Sequence, residues 1–120
     1  MENVAVVGAS PKKDRYSYQA MKALEKKGHN PIPVATARLE VLGRKAYPSL
    51  AEIPEHIDTI TVYISAAHQT SMLDEAVRIK PRRIIFNPGT ENHTAYTQLR
   101  QAGIEVVESC TLIMLSSNEF

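Results

Sequence analysis

One cysteine, no tryptophan, two phenylalanines and five glycines are all that the 120 residues hold of these types. A lone thiol at Cys110 cannot close an internal disulfide, so a secreted disulfide scaffold is excluded. Neither sign of charge dominates: fourteen Lys and Arg face thirteen Asp and Glu, a formal net charge of +1. A nucleic-acid binder driven by counterion release needs a large basic excess, and this chain has none. No apolar run approaches the roughly 20 residues of a membrane span. Neither a nucleic acid nor a membrane is therefore expected as a partner. Met1-Glu2-Asn3-Val4 shows no basic n-region of a secretory signal, which makes the cytoplasm the expected location. No His or Cys pair has metal-ligand spacing. Ser/His/Asp order, paired-carboxylate spacing and a Walker pattern are also missing.

What remains is 43% apolar and 22% charged, an ordinary globular balance. The length suits a single domain over residues 1–120 with one core. Val4-Ala5-Val6-Val7 is a nearly continuous apolar run ending at Gly8, the pattern of a strand buried on both faces. Tyr18, Met21 and Leu24 recur at helical spacing, with Ser17 as expected N-cap and Gly28 at the C-cap position. Ile32-Pro33-Val34 reads as a second strand, placed near an edge by its prolines. Thr36 to Pro48 carries little signal. Ser49-Leu50-Ala51-Glu52 has a capping-box pattern. Ile60 to Ile64 is the clearest strand, rich in β-branched residues. Ser65 then caps a helix carrying Met72, Leu73, Ala76 and Val77. Ile84-Ile85-Phe86 is another strand, closed by Asn87-Pro88-Gly89. Ala95, Tyr96, Leu99 and Ala102 mark a third helix, stopped by Gly103. Ile104 to Val107 is the last strand, followed by an apolar stretch at Leu112 to Leu115.

Short apolar strands alternating with helices predict an α/β fold. The expected architecture is a Rossmann-like doubly wound parallel sheet of about five strands, order 3-2-1-4-5, with helices on both faces and Val4–Val7 central. A flavodoxin-like order is the alternative. In either, ligands bind beyond the carboxyl ends of the strands.

The loop after the first strand, Gly8-Ala9-Ser10-Pro11-Lys12-Lys13-Asp14-Arg15-Tyr16-Ser17, is the most informative stretch. A tight turn leading to a helix N-terminus gathers backbone N–H groups where the helix dipole favours an anion. Hydroxyls at Ser10 and Ser17 and the charge of Arg15 suit a phosphate. A side chain at position 8 is expected to block that phosphate while the domain still folds. The nicotinamide fingerprint Gly-x-Gly-x-x-Gly is not met, because Ser10 and Lys13 stand where its second and third glycines belong. The acid that would hold ribose hydroxyls is also missing from Val34-Ala35-Thr36-Ala37-Arg38. Arg38 suits a ribose phosphate instead, as in coenzyme A or NADP.

Val6-Val7-Gly8-Ala9-Ser10, Arg15 with Ser17-Tyr18, Gly28, Pro33-Val34, Gly43, Tyr47-Pro48-Ser49-Leu50-Ala51-Glu52-Ile53-Pro54 and Asp58 resemble the stand-alone bacterial CoA-binding domain proteins. That family is similar to the N-terminal CoA-binding domain of the succinyl-CoA synthetase α subunit. The resemblance runs from Asn3 to about Leu115, tightest at Gly8–Ser10 and Tyr47–Pro54. It implies that the Gly8–Ser17 loop holds CoA phosphates, that Arg38 lies near the nucleotide, and that Tyr63-Ile64-Ser65 lie beside the cofactor. Two departures stand out: Ala35-Thr36 where the family usually has Asn-Pro, and Asn87-Pro88-Gly89 where it commonly has Gln-x-Gly. The synthetase's phosphorylated histidine belongs to a second domain, so the resemblance implies binding of coenzyme A or an acyl-CoA without catalysis.

Other side chains have competing readings. Cys110 is expected to be inert and His68 a surface histidine, but either could serve an NADP-dependent enzyme or redox sensor. Glu91 and Asn92 are expected to cap a helix. A nucleotide-sensing module that recruits a protein partner, or self-associates, is a further alternative.

Overall fold

The computed structural model describes residues 1–37 and 40–120. In chain order the strands are β1 (Asn3–Val7), β2 (Asn30–Val34), β3 (Glu40–Val41), β4 (Arg44–Lys45), β5 (Thr59–Val62), β6 (Arg83–Phe86) and β7 (Glu105–Glu108). The helices are α1 (Tyr16–Lys26), α2 (Thr70–Ile79), α3 (His93–Gln101) and α4 (Thr111–Ser116). Two short 3-10 turns occupy Leu50–Glu52 and Ala66–His68. Five strands form the main sheet in the order β2-β1-β5-β6-β7, and every pairing in it is parallel.

β5 and β6 are buried along their whole length, and β1 from Val4 onward, so both faces of the sheet need cover. Alternation along β1 shares out the work. Val4 and Val6 pack with Met21 and Leu24 of α1 and Leu115 of α4. Ala5 and Val7 face the other way, into a larger cluster with Ile60, Val62, Met72 and Leu99, which brings in α2 and α3. The doubly wound sheet with helices on both faces is therefore observed.

Beyond β2, Tyr47 makes a one-residue parallel bridge to Val34. Its N–H donates to the Pro33 carbonyl at 3.0 Å, and its own carbonyl accepts the Ala35 N–H at 2.9 Å. Counted as a third strand, this contact makes the order 3-2-1-4-5 from that edge, with β7 sixth. The Thr59–Val62 strand, third in the sequence reading, thus takes the fourth place, beside β1. Pro31 and Pro33 are tolerated because β2 has β1 on one side and only this single bridge on the other.

Local starts differ from expectation. α1 begins one residue before Ser17, with Arg15 as N-cap and no side-chain cap. Ser17 lies inside the helix and is buried. Ser65 precedes the 3-10 turn, and α2 starts only at Thr70. Ser49 does not cap the Leu50–Glu52 turn with its side chain. Among the described residues, no helix is long and apolar enough to cross a membrane.

Candidate functional site

The carboxyl ends of β1, β2 and β5 open onto a cleft of about 330 Å³. Its floor is Val7, Gly8 and Ala9 leaving β1 and Val34 to Thr36 leaving β2. One wall is Pro48, Ser49 and Leu50. The other is Ile64, then His68, Ser71, Met72 and Glu75 at the start of α2 and the turn before it.

Gly8 has φ +90°, a left-handed backbone that glycine adopts without strain. The Gly8 and Ala9 N–H groups both donate to the Val34 carbonyl, at 3.0 and 3.1 Å. They stitch the end of β1 to the end of β2 and are not free to hold an anion, so these two residues serve the site through shape. The free donors lie further along. The first amides of α1 have no acceptor within the helix, and among the described residues no side chain caps them. Before them the chain turns tightly: Ser10 Oγ accepts the Lys12 N–H at 3.1 Å, and Arg15 N–H donates to the Lys12 carbonyl at 3.1 Å. Lys12, Lys13 and Arg15 are exposed, and among the described residues none of them is in an ion pair.

Of the residues singled out from sequence, Gly8, Ala9, Val34 and Ile64 line the cleft. Ser10, Pro11 and Arg15 belong to the basic turn between Ala9 and α1, while Ser17 is buried within the first turn of α1. Tyr63 turns its ring to the opposite face of the sheet, against the Val4 cluster. Its buried hydroxyl has no hydrogen-bond partner among the described residues, and burial pushes its pKa up to about 12. Ser65 is exposed and shares a 2.9 Å hydrogen bond with His68 Nδ1. Gly89 is an exposed residue of the loop after β6, away from the cleft lining, with its N–H donating to Glu91 Oε1 at 2.9 Å. Arg38 lies outside the described residues. Cys110 is half-buried at the N-cap of α4 and does not line the cleft.

Two buried amides brace the strand-end loops, and neither role was legible in the sequence. Gln69 Nε2 donates to the Ile64 carbonyl at 2.9 Å and the Thr90 carbonyl at 2.7 Å. Its Oε1 accepts from Asn92 Nδ2 at 3.1 Å. Asn92 is the N-cap residue of α3, but its side chain is turned to Gln69 and does not cap the helix, contrary to expectation. Asn87 Nδ2 donates to Thr61 Oγ1 at 2.7 Å and to the Val62 carbonyl at 2.9 Å, and Asn87 Oδ1 accepts the Thr111 N–H at 2.9 Å. The cleft wall formed by Ser71, Met72 and Glu75 was also missed, because on α2 these read as ordinary helix residues. The Pro48–Leu50 wall falls in the stretch that carries the family resemblance. Among the described residues, no group of His, Cys, Asp and Glu could hold a metal ion.

A doubly wound parallel sheet with a cleft at its strand ends and a basic turn into the first helix defines a Rossmann-type cofactor-binding domain. Residues 2–116 match the model of the CoA binding domain family, and the chain belongs to that family. It is 32% identical over 106 residues to the uncharacterized protein YneT of Bacillus subtilis, covering 88% of this chain and 78% of that one. Over 80 residues it is also 32% identical to the α subunit of the ADP-forming acetate–CoA ligase I of Pyrococcus furiosus, covering 62% of this chain but only 17% of the subunit. A crystal structure of an uncharacterized protein superposes with a TM-score of 0.94 at 42% identity, covering 100% of this chain and 98% of the other. Family and relatives together support CoA binding in general.

Proposed function

We propose that the chain binds coenzyme A or an acyl-CoA, with the phosphates on the Ser10–Arg15 turn and the first amides of α1, and performs no chemistry alone. The observation that carries this reading is the juxtaposition of the mainly apolar cleft with the uncapped, basic start of α1. Charge-assisted hydrogen bonds to phosphate oxygens are about twice as strong as neutral ones, and Arg15 and the two lysines stand ready to make them. Ala35 and Thr36 at the end of β2 offer no carboxylate to ribose hydroxyls, which argues against NAD. Arg38 follows Thr36 by two residues in the sequence and supplies the partner for a ribose 3′-phosphate. Against catalysis, Cys110 does not line the cleft, and the His68 Nδ1 atom is engaged by its neighbour Ser65.

Thermal melting with CoA, acetyl-CoA, NAD, NADP and ADP side by side tests the reading. Binding to the native state alone stabilises by about 2.7 kcal/mol at a hundredfold excess over Kd. CoA and acetyl-CoA should raise the melting temperature most. A larger shift with NADP, or none with either CoA form, would refute it.

A further inference from the structure

Glu75 is the one carboxylate that lines the cleft among the described residues, set on α2 opposite the apolar floor. It is half-buried. Its Oε2 accepts the Ala51 N–H at 3.3 Å, which ties the side chain to the turn that carries Leu50. Among the described residues Oε1 has no hydrogen-bond partner. A negative group here repels phosphate, so the phosphates belong on the basic turn and the cleft takes a neutral part of the ligand. That part must bring a hydrogen-bond donor, because a half-buried acceptor left unpaired on binding is costly. In a Rossmann-type sheet the pyrophosphate sits at the start of the first helix and the ribose at the end of the second strand. The base is then carried past Val34 and Thr36, toward Leu50, Met72 and Glu75.

On the reading that the chain binds CoA, we infer that Glu75 is a specificity residue for the base. Its free carboxylate oxygen accepts a hydrogen bond from the exocyclic amino group of adenine, whose faces rest on Val34, Leu50 and Met72. A base with a carbonyl oxygen in place of that amine sets acceptor against acceptor and is rejected, as polar sites generally reject an analogue lacking the matching group.

Calorimetric titration of CoA, of its inosine analogue and of 4′-phosphopantetheine against the wild type and Glu75→Gln tests this. Glutamine keeps an acceptor for the Ala51 N–H and adds a donor that a carbonyl can use. The wild type should bind CoA at least about tenfold more tightly than the inosine analogue. In Glu75→Gln that ratio should fall to within about twofold, with phosphopantetheine binding unchanged. A wild-type ratio near one, an unchanged ratio in the variant, or a phosphopantetheine affinity that moves with position 75 would each overturn the inference while leaving CoA binding intact. Failure of the wild type to bind CoA at all would defeat the underlying reading instead, and the inference with it.

Discussion

The backbone of Gly8 passes so close to Ile64 that a Cβ at position 8 would stand 2.8 Å from Ile64 Cγ2 and 3.2 Å from the Tyr63 carbonyl carbon. The glycine is thus required first by the seam between β1 and the chain leaving β5, before any ligand arrives. Gly8→Val combines this overlap with a left-handed φ and should lose roughly 2–5 kcal/mol. Fold and CoA binding should fail together, in place of the clean binding defect that the sequence suggests. Urea unfolding followed by CoA titration checks this. A wild-type midpoint for Gly8→Val would show that the close approach is not what demands a glycine.

Arg15→Ala should weaken CoA by about tenfold, through loss of a charge-assisted contact to phosphate. Its dependence on salt concentration should also be shallower than that of the wild type. Arg38→Ala should weaken CoA far more than dephospho-CoA. Equal losses for the two ligands would remove Arg38 from the 3′-phosphate.

Cys110→Ser should leave CoA affinity within about twofold, because the half-buried thiol does not line the cleft. Loss of binding in this variant would bring the redox reading forward.

Asn87→Ala should destabilise by about 2–4 kcal/mol, because it strands the buried Thr111 N–H and the Val62 carbonyl. Denaturant unfolding measures the loss. A change below about 0.5 kcal/mol would show that neighbours or water take over those contacts.

Tyr63 and Tyr96 should set the alkaline limit of stability. Burial raises both from the ordinary 10.0 to about 12, and for Tyr96 the carboxylate of Glu108, 2.7 Å from its hydroxyl, adds to the effect. Each folded-state pKa lies above its unfolded value, so the stabilisation is complete below pH 10 and is lost as pH climbs through about 12. An ultraviolet titration should show Tyr63 and Tyr96 ionising late, with melting temperatures falling over the same interval. Ionisation of Tyr63 and Tyr96 near 10 would contradict this.

The strands were legible because a parallel sheet covered on both faces needs unbroken apolar runs, and Val4–Val7 and Ile84–Phe86 supply them. Gly8 was legible because it ends such a run before a polar loop. The β3–β4 hairpin was not: its strands have two residues each, and Leu42 and Gly43 turn it with positive φ. Ser17 misled because a serine before a helical pattern reads as a cap, whereas α1 starts at Tyr16 and Ser17 is a buried residue of its first turn. Glu75 gave no signal because an acid on a helix normally faces water. Its place in the cleft depends on the Ala51 turn, 24 residues away in sequence. Gln69 is invisible for a similar reason, since its three partners lie in two different loops.

Gln69 also bears on how quickly a ligand is received. By holding Ile64 and Thr90 in one grip, it sets the loop after β5 against the loop after β6 before anything binds. A pocket wall fixed in advance gives up little further freedom on contact. Encounter should then be a single kinetic phase whose rate climbs in proportion to CoA concentration. Gln69→Leu, with that grip released, should add a slower, concentration-independent phase as the two loops settle around the bound molecule.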